Sequence, residues 1–200
     1  MSERRATVER TTRETAIQVQ LCLDGSGAGR IETPLPFLSH MLEQIGRHAL
    51  FDLTVLATGD AEIDGHHTTE DVALVLGRAV LEALGPKTGI RRYGSATLPM
   101  DEALVTAALD LSGRAYAVYD APIPKAKIGQ WDAELAEVFF EAFARGAQAN
   151  VHIILHRGQN LHHIVECCFK AFARALREAV ELDPRGGSVP STKGTLDESA

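Results

Sequence analysis

The sequence predicts an α+β fold with an internal duplication of a βββαβα unit, giving two sheets and a four-helix layer. Three observations support this fold class: stretches of alternating apolar and polar residues, longer stretches with apolar residues at helical spacing, and one histidine-rich segment that occurs twice. Shifted by 96 positions, HHTTEDVALVLGRAVLEAL (66–84) aligns with HHIVECCFKAFARALREAV (162–180). Because an internal repeat indicates duplication, we expect one half over 1–92, a second over 93–184 and a flexible tail over 185–200.

The first half should contain three strands, a helix, a strand and a helix. Five of these six elements are located by their patterns, in chain order TAIQVQLCLD (15–24), GRIET (29–33), a helix over about 37–50, FDLTVLAT (51–58) and a helix over 68–84. The glycine-rich turn at 25–27 makes 29–33 the expected hairpin partner of the strand before it. Prolines introduce the first helix, and Gly85-Pro86 ends the second.

The second half repeats this order. Its segments are ALVTAALDL (103–111), AYAVY (115–119), a helix over 134–147, an extended stretch over 151–155 and a helix over 161–181. Ser112-Gly113 provides a turn, so 115–119 is the expected partner of 103–111. At a different shift Glu14 aligns with Glu102, each just before the first predicted strand of its half.

Composition restricts the class of protein. The chain has 200 residues, 45% of them hydrophobic and 24% charged, which is typical of a globular protein. A net charge of −7 argues against a nucleic-acid partner. No apolar run approaches the ~20 residues of a membrane span, and the N-terminus predicts neither a signal peptide nor a membrane anchor. Three cysteines, including the adjacent pair Cys167-Cys168, cannot form a disulfide framework, so we expect reduced thiols and a cytoplasmic location.

The two His-His-x-x-Glu segments predict metal binding. At the start of a helix, a glutamate three or four residues after a histidine lies on the same face. Imidazole and carboxylate groups together are nitrogen and oxygen ligands for a divalent transition metal. The candidates from the doublets are His66, His67, Glu70, His162, His163 and Glu166.

Two sites are expected rather than one. Neighbouring helical residues point about 100° apart, so a His-His doublet is better placed to serve two ions than to chelate one. With His40 and His152 as further candidates, six histidines and two glutamates divide into two sites of four protein ligands. An octahedral ion would then keep open positions for catalysis. The absence of nearby cysteine favours manganese or iron(II) over structural zinc. The alternative is that the doublets cap helices or lie in a subunit interface.

Several cationic and small residues near turns could bind a phosphate group. They lie in GIRRYG (89–94), after Ser112-Gly113, one turn beyond Glu166 and in GGSVPSTKGTL (186–196). Taken singly, each is better explained as a solvated surface charge, and the tail as disorder.

The chain resembles the imidazoleglycerol-phosphate dehydratase family from about residue 4 to residue 196. The segments that carry this resemblance are LPFLSHMLEQIGRH, DGHHTTEDVALVLG, GIRRYGSATLPMDEAL, LDLSGRAY, HHIVECCFKAFARALREA and PSTKG. The resemblance implies a duplicated fold of the ribosomal protein S5 domain 2-like class, two Mn²⁺ ions per active site and a shell of 24 subunits with sites between neighbours. It also implies conversion of imidazoleglycerol phosphate to imidazole acetol phosphate in histidine biosynthesis.

The resemblance further implies roles for individual residues. Glu14 occupies the position of a substrate-contacting glutamate and is the candidate acid/base. Should a test exclude Glu14, Asp101 is the next candidate, on grounds separate from the resemblance. The implied metal ligands are His40, His66, His67, Glu70, His152, His162, His163 and Glu166. The implied phosphate-binding residues are Gln44, His48, Arg92, Arg114, Lys170, Ser191 and Lys193. The tail that holds the last two is expected to close over the substrate. His156 and the Cys167-Cys168 pair receive no role.

Two other functions use similar residues. A binuclear metal hydrolase such as a phosphatase also needs two ions and a phosphate site, but it usually uses carboxylates where this sequence has histidines. A metal-storage protein of the di-iron bundle type uses four long helices, and the predicted strands argue against it.

Overall fold

Two four-stranded sheets and four helices form the core of the computed structural model, which describes residues 3–196. The elements of the first half are β1 (Arg5–Thr11), β2 (Thr15–Cys22), β3 (Gly29–Glu32), α1 (Pro36–Ala49), β4 (Asp52–Gly59) and α2 (His66–Leu84). Those of the second half are β5 (Tyr93–Met100), β6 (Ala103–Asp110), β7 (Tyr116–Asp120), β8 (Lys127–Ile128), β9 (Trp131–Asp132), α3 (Leu135–Ala147), β10 (Asn150–Arg157) and α4 (Leu161–Val180).

The two sheets have the same topology. The first has the strand order β1-β2-β4-β3, and the second has the equivalent order β5-β6-β10-β7. In each sheet the second strand pairs antiparallel with both of its neighbours, while the last strand in the order pairs parallel with the strand beside it. This correspondence confirms the predicted α+β duplication.

The two predicted hairpins are wrong. β3 pairs with β4 and β7 pairs with β10, in both cases in parallel, because β1 and β4 occupy the two edges of β2, and β5 and β10 those of β6. The loop before β3 crosses the start of β4, where the Asp52 carboxylate accepts the backbone N–H groups of Ser26 and Ala28. Gly29 begins β3 at a close approach, since a Cβ there would overlap the Leu53 carbonyl oxygen.

The helices form a layer that both halves share. α2 packs on β1 and β2, and α4 packs on β5 and β6, so each sheet buries one face. α2 also packs on α3, and α4 on α1, so the last helix of each half contacts the first helix of the other. α2 and α3 approach closely at Gly77 and Gly146, where a Cβ would overlap the facing backbone. The halves therefore share one core.

Aromatic side chains fill the part of this core between α3 and α4. The buried rings, with centroids 4.8 to 5.5 Å apart, belong to Phe139, Phe140, Phe143, Phe169 and Phe172. Burying each ring contributes roughly 1.5–3 kcal/mol of transfer free energy. Among the helices of residues 3–196, none has both the length and the apolar character that crossing a membrane requires.

The second half contains an element without an equivalent in the described part of the first half, residues 3–92. Between β7 and α3 the chain forms the short hairpin β8–β9, which carries the buried Trp131. The Trp131 indole N–H donates to Thr69 Oγ1 at 3.2 Å, and its ring lies 5.2 Å from that of Phe37. The hairpin thus links the start of α1 to the start of α2.

The tail contacts the segment that joins the halves. The Gly89 N–H donates to the Ser188 carbonyl at 3.0 Å, and Arg92 Nη1 donates to the Pro190 carbonyl at 2.9 Å. Leu196, the last described residue, is buried. Of the predicted tail, 197–200 lie outside the described residues, as do residues 1 and 2 of the first half.

Candidate metal centre

Three predicted ligands from both halves converge at the start of α4. Glu166 Oε2 lies 2.9 Å from His162 Nε2 and 3.4 Å from His40 Nε2, and the three ligand atoms are all within 4.8 Å of one another. His162 and Glu166 share a face of α4 because they are four residues apart, and His40 reaches them from α1. Two imidazole nitrogens and one carboxylate oxygen fit a divalent transition metal.

The charge on Glu166 suits it to ligation. Its side chain is only 7% exposed, and Lys170 Nζ lies 2.6 Å from its Oε1. Burial alone would raise its pKa, but hydrogen bonds from Lys170 and His162 outweigh burial and lower the pKa below its usual value. Glu166 is therefore an ionised carboxylate at neutral pH.

An aromatic wall lies beside the three ligands. The Phe37 ring is 5.3 Å from that of His162 and 6.4 Å from that of His40, in edge-on geometry. Next to it is a pocket of about 460 Å³, lined by Leu35, Pro36, Phe37, His40, Ile128, Gly129, Gln130 and Trp131. The candidate centre thus adjoins a mainly apolar pocket, to which His40 contributes a nitrogen.

The second histidine of each doublet lies against a carboxylate. His163 Nδ1 is 2.8 Å from Glu102 Oε2, and His67 Nδ1 is 2.9 Å from Asp60 Oδ2. These hydrogen bonds raise the pKa of both histidines. In turn, His163 and two backbone N–H groups, of Asn160 and Gln159, lower the pKa of Glu102 to about 2.

The other three predicted ligands lie apart from the group of His40, His162 and Glu166 within the described chain. The His66 ring lies 6.2 Å from that of His67, and Glu70 forms an ion pair with Arg145 of α3. His152 is on β10, on the face of the second sheet that the helices do not cover, with its ring 6.4 Å from that of Tyr116.

Glu14 lies in the turn between β1 and β2, next to the first doublet. Its Oε2 is 3.8 Å from His67 Nδ1, and its side chain is 55% exposed. Its backbone carbonyl accepts the Asp60 N–H at 3.2 Å. The turn therefore places an accessible carboxylate beside the start of α2.

Three of the predicted phosphate-binding residues surround the group on α1 and α4. Gln44 Nε2 is 3.5 Å from His40 Nδ1, and Lys170 is held by Glu166. Burial lowers the pKa of His48, and the positive charges of Lys170 and Arg174 lower it further. This face of α1 and α4 can attract an anion.

The other four lie around the opposite end of the second sheet or in the tail. Arg92 donates from Nε and Nη2 to the two Asp110 oxygens, at 2.7 and 3.1 Å. Arg114 follows β6 in the loop to β7, while the Ser191 hydroxyl accepts the Lys193 N–H at 3.2 Å. Since the group of three faces the start of β6 and Arg92 faces its end, a strand length of about 25 Å separates them.

Four residues near the histidines of the two doublets were not predicted from the sequence. Phe37 and Trp131 were not expected beside the metal ligands, and Asp60 and Glu102 were not expected to hold histidine rings. Of the four, only Glu102 stood out in the sequence, because it aligns with Glu14 in the repeat.

Comparison with known proteins gives one family. The family model for imidazoleglycerol-phosphate dehydratase matches residues 33–176. The imidazoleglycerol-phosphate dehydratase of Geobacter sulfurreducens is 55% identical over 193 residues, covering 96% of this chain and 99% of that protein. That of Granulibacter bethesdensis is 56% identical over 194 residues, covering 96% and 99%.

Two solved structures of proteins from the same family are also similar to this chain. The Staphylococcus aureus imidazoleglycerol-phosphate dehydratase superposes with a TM-score of 0.81 at 37% identity, covering 90% of this chain and 99% of that one. The Pyrococcus furiosus structure, a complex with (S)-C348, also has a TM-score of 0.81 at 37% identity and covers 94% and 99%.

Proposed function

The chain belongs to the imidazoleglycerol-phosphate dehydratase family, and from this premise we propose how its own residues carry out the reaction. The family makes it a hydro-lyase of histidine biosynthesis whose substrate is a small phosphorylated imidazole. The product that we propose is imidazole acetol phosphate, formed when the enol left by loss of water relaxes to the ketone.

We propose that two Mn²⁺ ions bind at each active site. The single observation that carries this proposal is the convergence of His40, His162 and Glu166. The remaining ligands that we propose are His66, His67, Glu70, His152 and His163. A set of imidazole and carboxylate groups without cysteine suits manganese. When bound, the ions would supply Lewis-acid stabilisation of negative charge on the imidazole ring of the substrate.

We infer that the complete site is shared between copies of the chain. Within one chain, about 25 Å of strand separates the Arg92 end of the second sheet from the group of three, which is too far for one small substrate. The uncovered face of this sheet carries His152 among the exposed apolar residues Tyr93, Tyr116 and Ile154. An exposed apolar patch favours contact with another subunit, which supports the proposed shell of 24 subunits.

The phosphate group would anchor the end of the substrate that does not react. We propose that Gln44, His48 and Lys170 bind it from one subunit, and that Arg92, Arg114, Ser191 and Lys193 reach it from a neighbour. Holding a remote charged group orients the reacting carbon chain. Arg92 would keep its contact with Asp110, which fixes the guanidinium plane.

We propose that the Glu14 carboxylate moves the proton in the dehydration. The reaction removes a hydroxyl group and a C–H proton. The carbon that loses this proton has no adjacent carbonyl group that would make the proton acidic. A positioned carboxylate is therefore needed to take the proton. Glu14 is accessible and lies beside the His67 ring, which supports this role.

The tail is proposed to close over the phosphate through Ser191 and Lys193. Its contacts with Gly89 and Arg92 end at Pro190, just before these two residues. Truncation after Val189, which also removes the Pro190 carbonyl that Arg92 contacts, should raise KM at least tenfold and leave metal content unchanged. Lys193→Ala should give a smaller increase in KM. Arg185 is an exposed cation of the same tail, and Arg185→Ala should leave KM unchanged. A truncated protein with wild-type kinetics would contradict the proposal.

The proposed function is tested by turnover of imidazoleglycerol phosphate. The metal-stripped protein should be inactive, and addition of Mn²⁺ should restore formation of the keto product. A hydrolase would instead release inorganic phosphate from the same substrate, and a storage protein would bind metal without turnover. Either result would contradict the proposal.

A cytoplasmic location is also proposed, supported by the free thiols of Cys22, Cys167 and Cys168.

A further inference from the structure

Two carboxylates outside the proposed ligand set hold the second histidine of each doublet. Glu102 Oε2 lies 2.8 Å from His163 Nδ1, and Asp60 Oδ2 lies 2.9 Å from His67 Nδ1. Each carboxylate comes from a different element than its histidine, since Glu102 precedes β6 and Asp60 follows β4. In both pairs the nitrogen in contact is Nδ1.

These contacts determine where the proton of each neutral ring lies. An ionised carboxylate has only acceptor oxygens, so Nδ1 must carry the hydrogen that fills each contact. The lone pair of the ring is then on Nε2, on the side of the ring away from the carboxylate that contacts Nδ1. Near His163 a second carboxylate, that of Asp101, is 3.7 Å from Nε2, which is too long for a hydrogen bond. A metal can bind a neutral imidazole only through the nitrogen with the lone pair.

We propose that Asp60 and Glu102 are positioning residues that hold His67 and His163 with Nδ1 protonated, so that both rings offer Nε2 to a divalent cation. This inference rests on the proposed function, because it takes the two histidines to be metal ligands. Such a carboxylate fixes the tautomer and orientation of the ring and makes the ligating nitrogen more basic.

The duplication shows that the two halves use different positions for this task. Glu14 and Glu102 are equivalent, since each directly precedes the second strand of its sheet. In the second half, Glu102 itself holds the histidine. In the first half, Glu14 stands 3.8 Å from His67 Nδ1, and Asp60 makes the close contact instead. The position equivalent to Asp60, directly after β10, is Gly158, which has no side chain.

This difference separates two roles that one glutamate cannot fill together. Because Asp60 holds His67, the Glu14 carboxylate is left accessible for proton transfer. Glu102 has no such substitute and is fixed in place, since its Oε1 also accepts the N–H groups of Gln159 and Asn160 at 3.1 and 2.7 Å. We therefore place Glu102 among the positioning residues rather than the proton-transfer groups.

Glu102→Gln tests the inference with little change of shape. The amide oxygen can keep both backbone contacts, which turns the amide NH₂ group toward His163. An NH₂ group donates, so it favours the tautomer with the proton on Nε2 and opposes metal binding there. Loss of such a partner weakens metal affinity about 10–100-fold. Asp60→Ala removes the close acceptor at His67. It should weaken Mn²⁺ affinity at the metal site that His67 serves by a similar factor.

The measurement is Mn²⁺ titration of the full-length metal-free protein, followed by the free-ion electron paramagnetic resonance signal. Glu62→Gln is the matched control, because this exposed carboxyl lies two residues from Asp60 and contacts neither histidine. The Co²⁺-loaded variants should also show altered d–d absorption, which a purely structural role would not change. The unfolding midpoint of the metal-free Glu102→Gln protein should match that of the wild type.

The outcomes separate this inference from the proposed function. If wild-type protein binds Mn²⁺ and both variants bind it with unchanged affinity and Co²⁺ spectrum, the positioning role is wrong and the function stands. If the wild-type protein binds no divalent metal, the proposed metal site fails and the inference fails with it. Tenfold or greater weakening in both variants, with the control unchanged, supports the inference.

Discussion

The starts of α2 and α4 carry the same His-His-x-x-Glu segment, but their surroundings differ. At α4, Glu166 is almost fully buried and contacts His40, His162 and Lys170. At α2, the equivalent Glu70 is 34% exposed and pairs with Arg145. Within residues 3–196 the duplicated helix therefore forms a three-ligand group at the α4 end and not at the α2 end.

The neighbouring helix explains the difference. α1 and α3 both end in a left-handed residue, Leu50 and Gln148, which aligns the two helices. Ten positions before these ends lie His40 in α1 and Val138 in α3. Because α3 has valine where α1 has histidine, no third ligand reaches the start of α2 from the described part of its own chain. A repeated segment thus supplies ligands, while the element packed on it determines whether they converge.

Of the changes that test this comparison of the two helix starts, metal removal should have the largest effect on activity and assembly. Stripping the metal should abolish turnover and shift the proposed assembly toward smaller species, because we propose that a second copy completes the metal site at α2. Size-exclusion chromatography with light scattering, before and after Mn²⁺ is restored, checks the assembly, and a turnover assay checks activity. Full activity after verified metal removal would contradict the two-metal proposal.

Glu14→Gln should have the next largest effect, and only on the chemistry at the α2 end. The substitution keeps the size of the side chain and removes the proposed base, so kcat should fall by roughly 10²–10⁴. Metal content should stay at the wild-type value. Glu62→Gln, on the same open surface, is the control and should retain wild-type kcat. If Glu14→Gln retains kcat within a few-fold, the base lies elsewhere, and Asp101 would be examined next.

Removing one histidine from each doublet tests whether the two ends serve different ions. His67→Ala and His163→Ala change equivalent positions of the repeat, and each should lose about one metal equivalent per chain. Metal analysis after dialysis measures this directly. His156→Ala is the control, because His156 lies on the same face of β10 as His152, contacts Thr106 and receives no ligand role. Two full equivalents in either doublet variant would show that the histidine is not a ligand.

The sequence predicted the elements well but not every pairing between them. Alternation located β2, β4 and β6, since one face of each is buried. The edge strands β1 and β5 were not predicted, because only Val8 of β1 and Gly94 of β5 are buried. The hairpins were mispredicted because a glycine-rich turn specifies a change of direction and not the strand that the chain then joins.

In the candidate site too, local sequence patterns predicted contacts within one element but not contacts between elements. Spacing along α4 predicted that His162 and Glu166 share a face, and the structure places them 2.9 Å apart. That His40 joins them from α1 depends on how two helices from different halves pack, which spacing within one segment does not encode. The contacts of Asp60 and Glu102 likewise depend on turns that approach the helix starts in three dimensions.

The smallest effect is expected at the caps of the two helices. The Asn160 side chain accepts the N–H groups of His162 and His163, whereas Gly65 gives α2 no side-chain cap. Asn160→Ala should therefore lower the free energy of unfolding by about 1 kcal/mol, measured by urea denaturation of the metal-free protein. Asn160→Asp keeps an acceptor oxygen and is the matched control. Gly65→Asn should gain no comparable stability, because a Cβ there would lie 3.0 Å from Leu135 and 3.3 Å from Leu35. A stabilised Gly65→Asn protein would show that the start of α2 can accept the cap that α4 has, and that crowding is not what distinguishes the two ends.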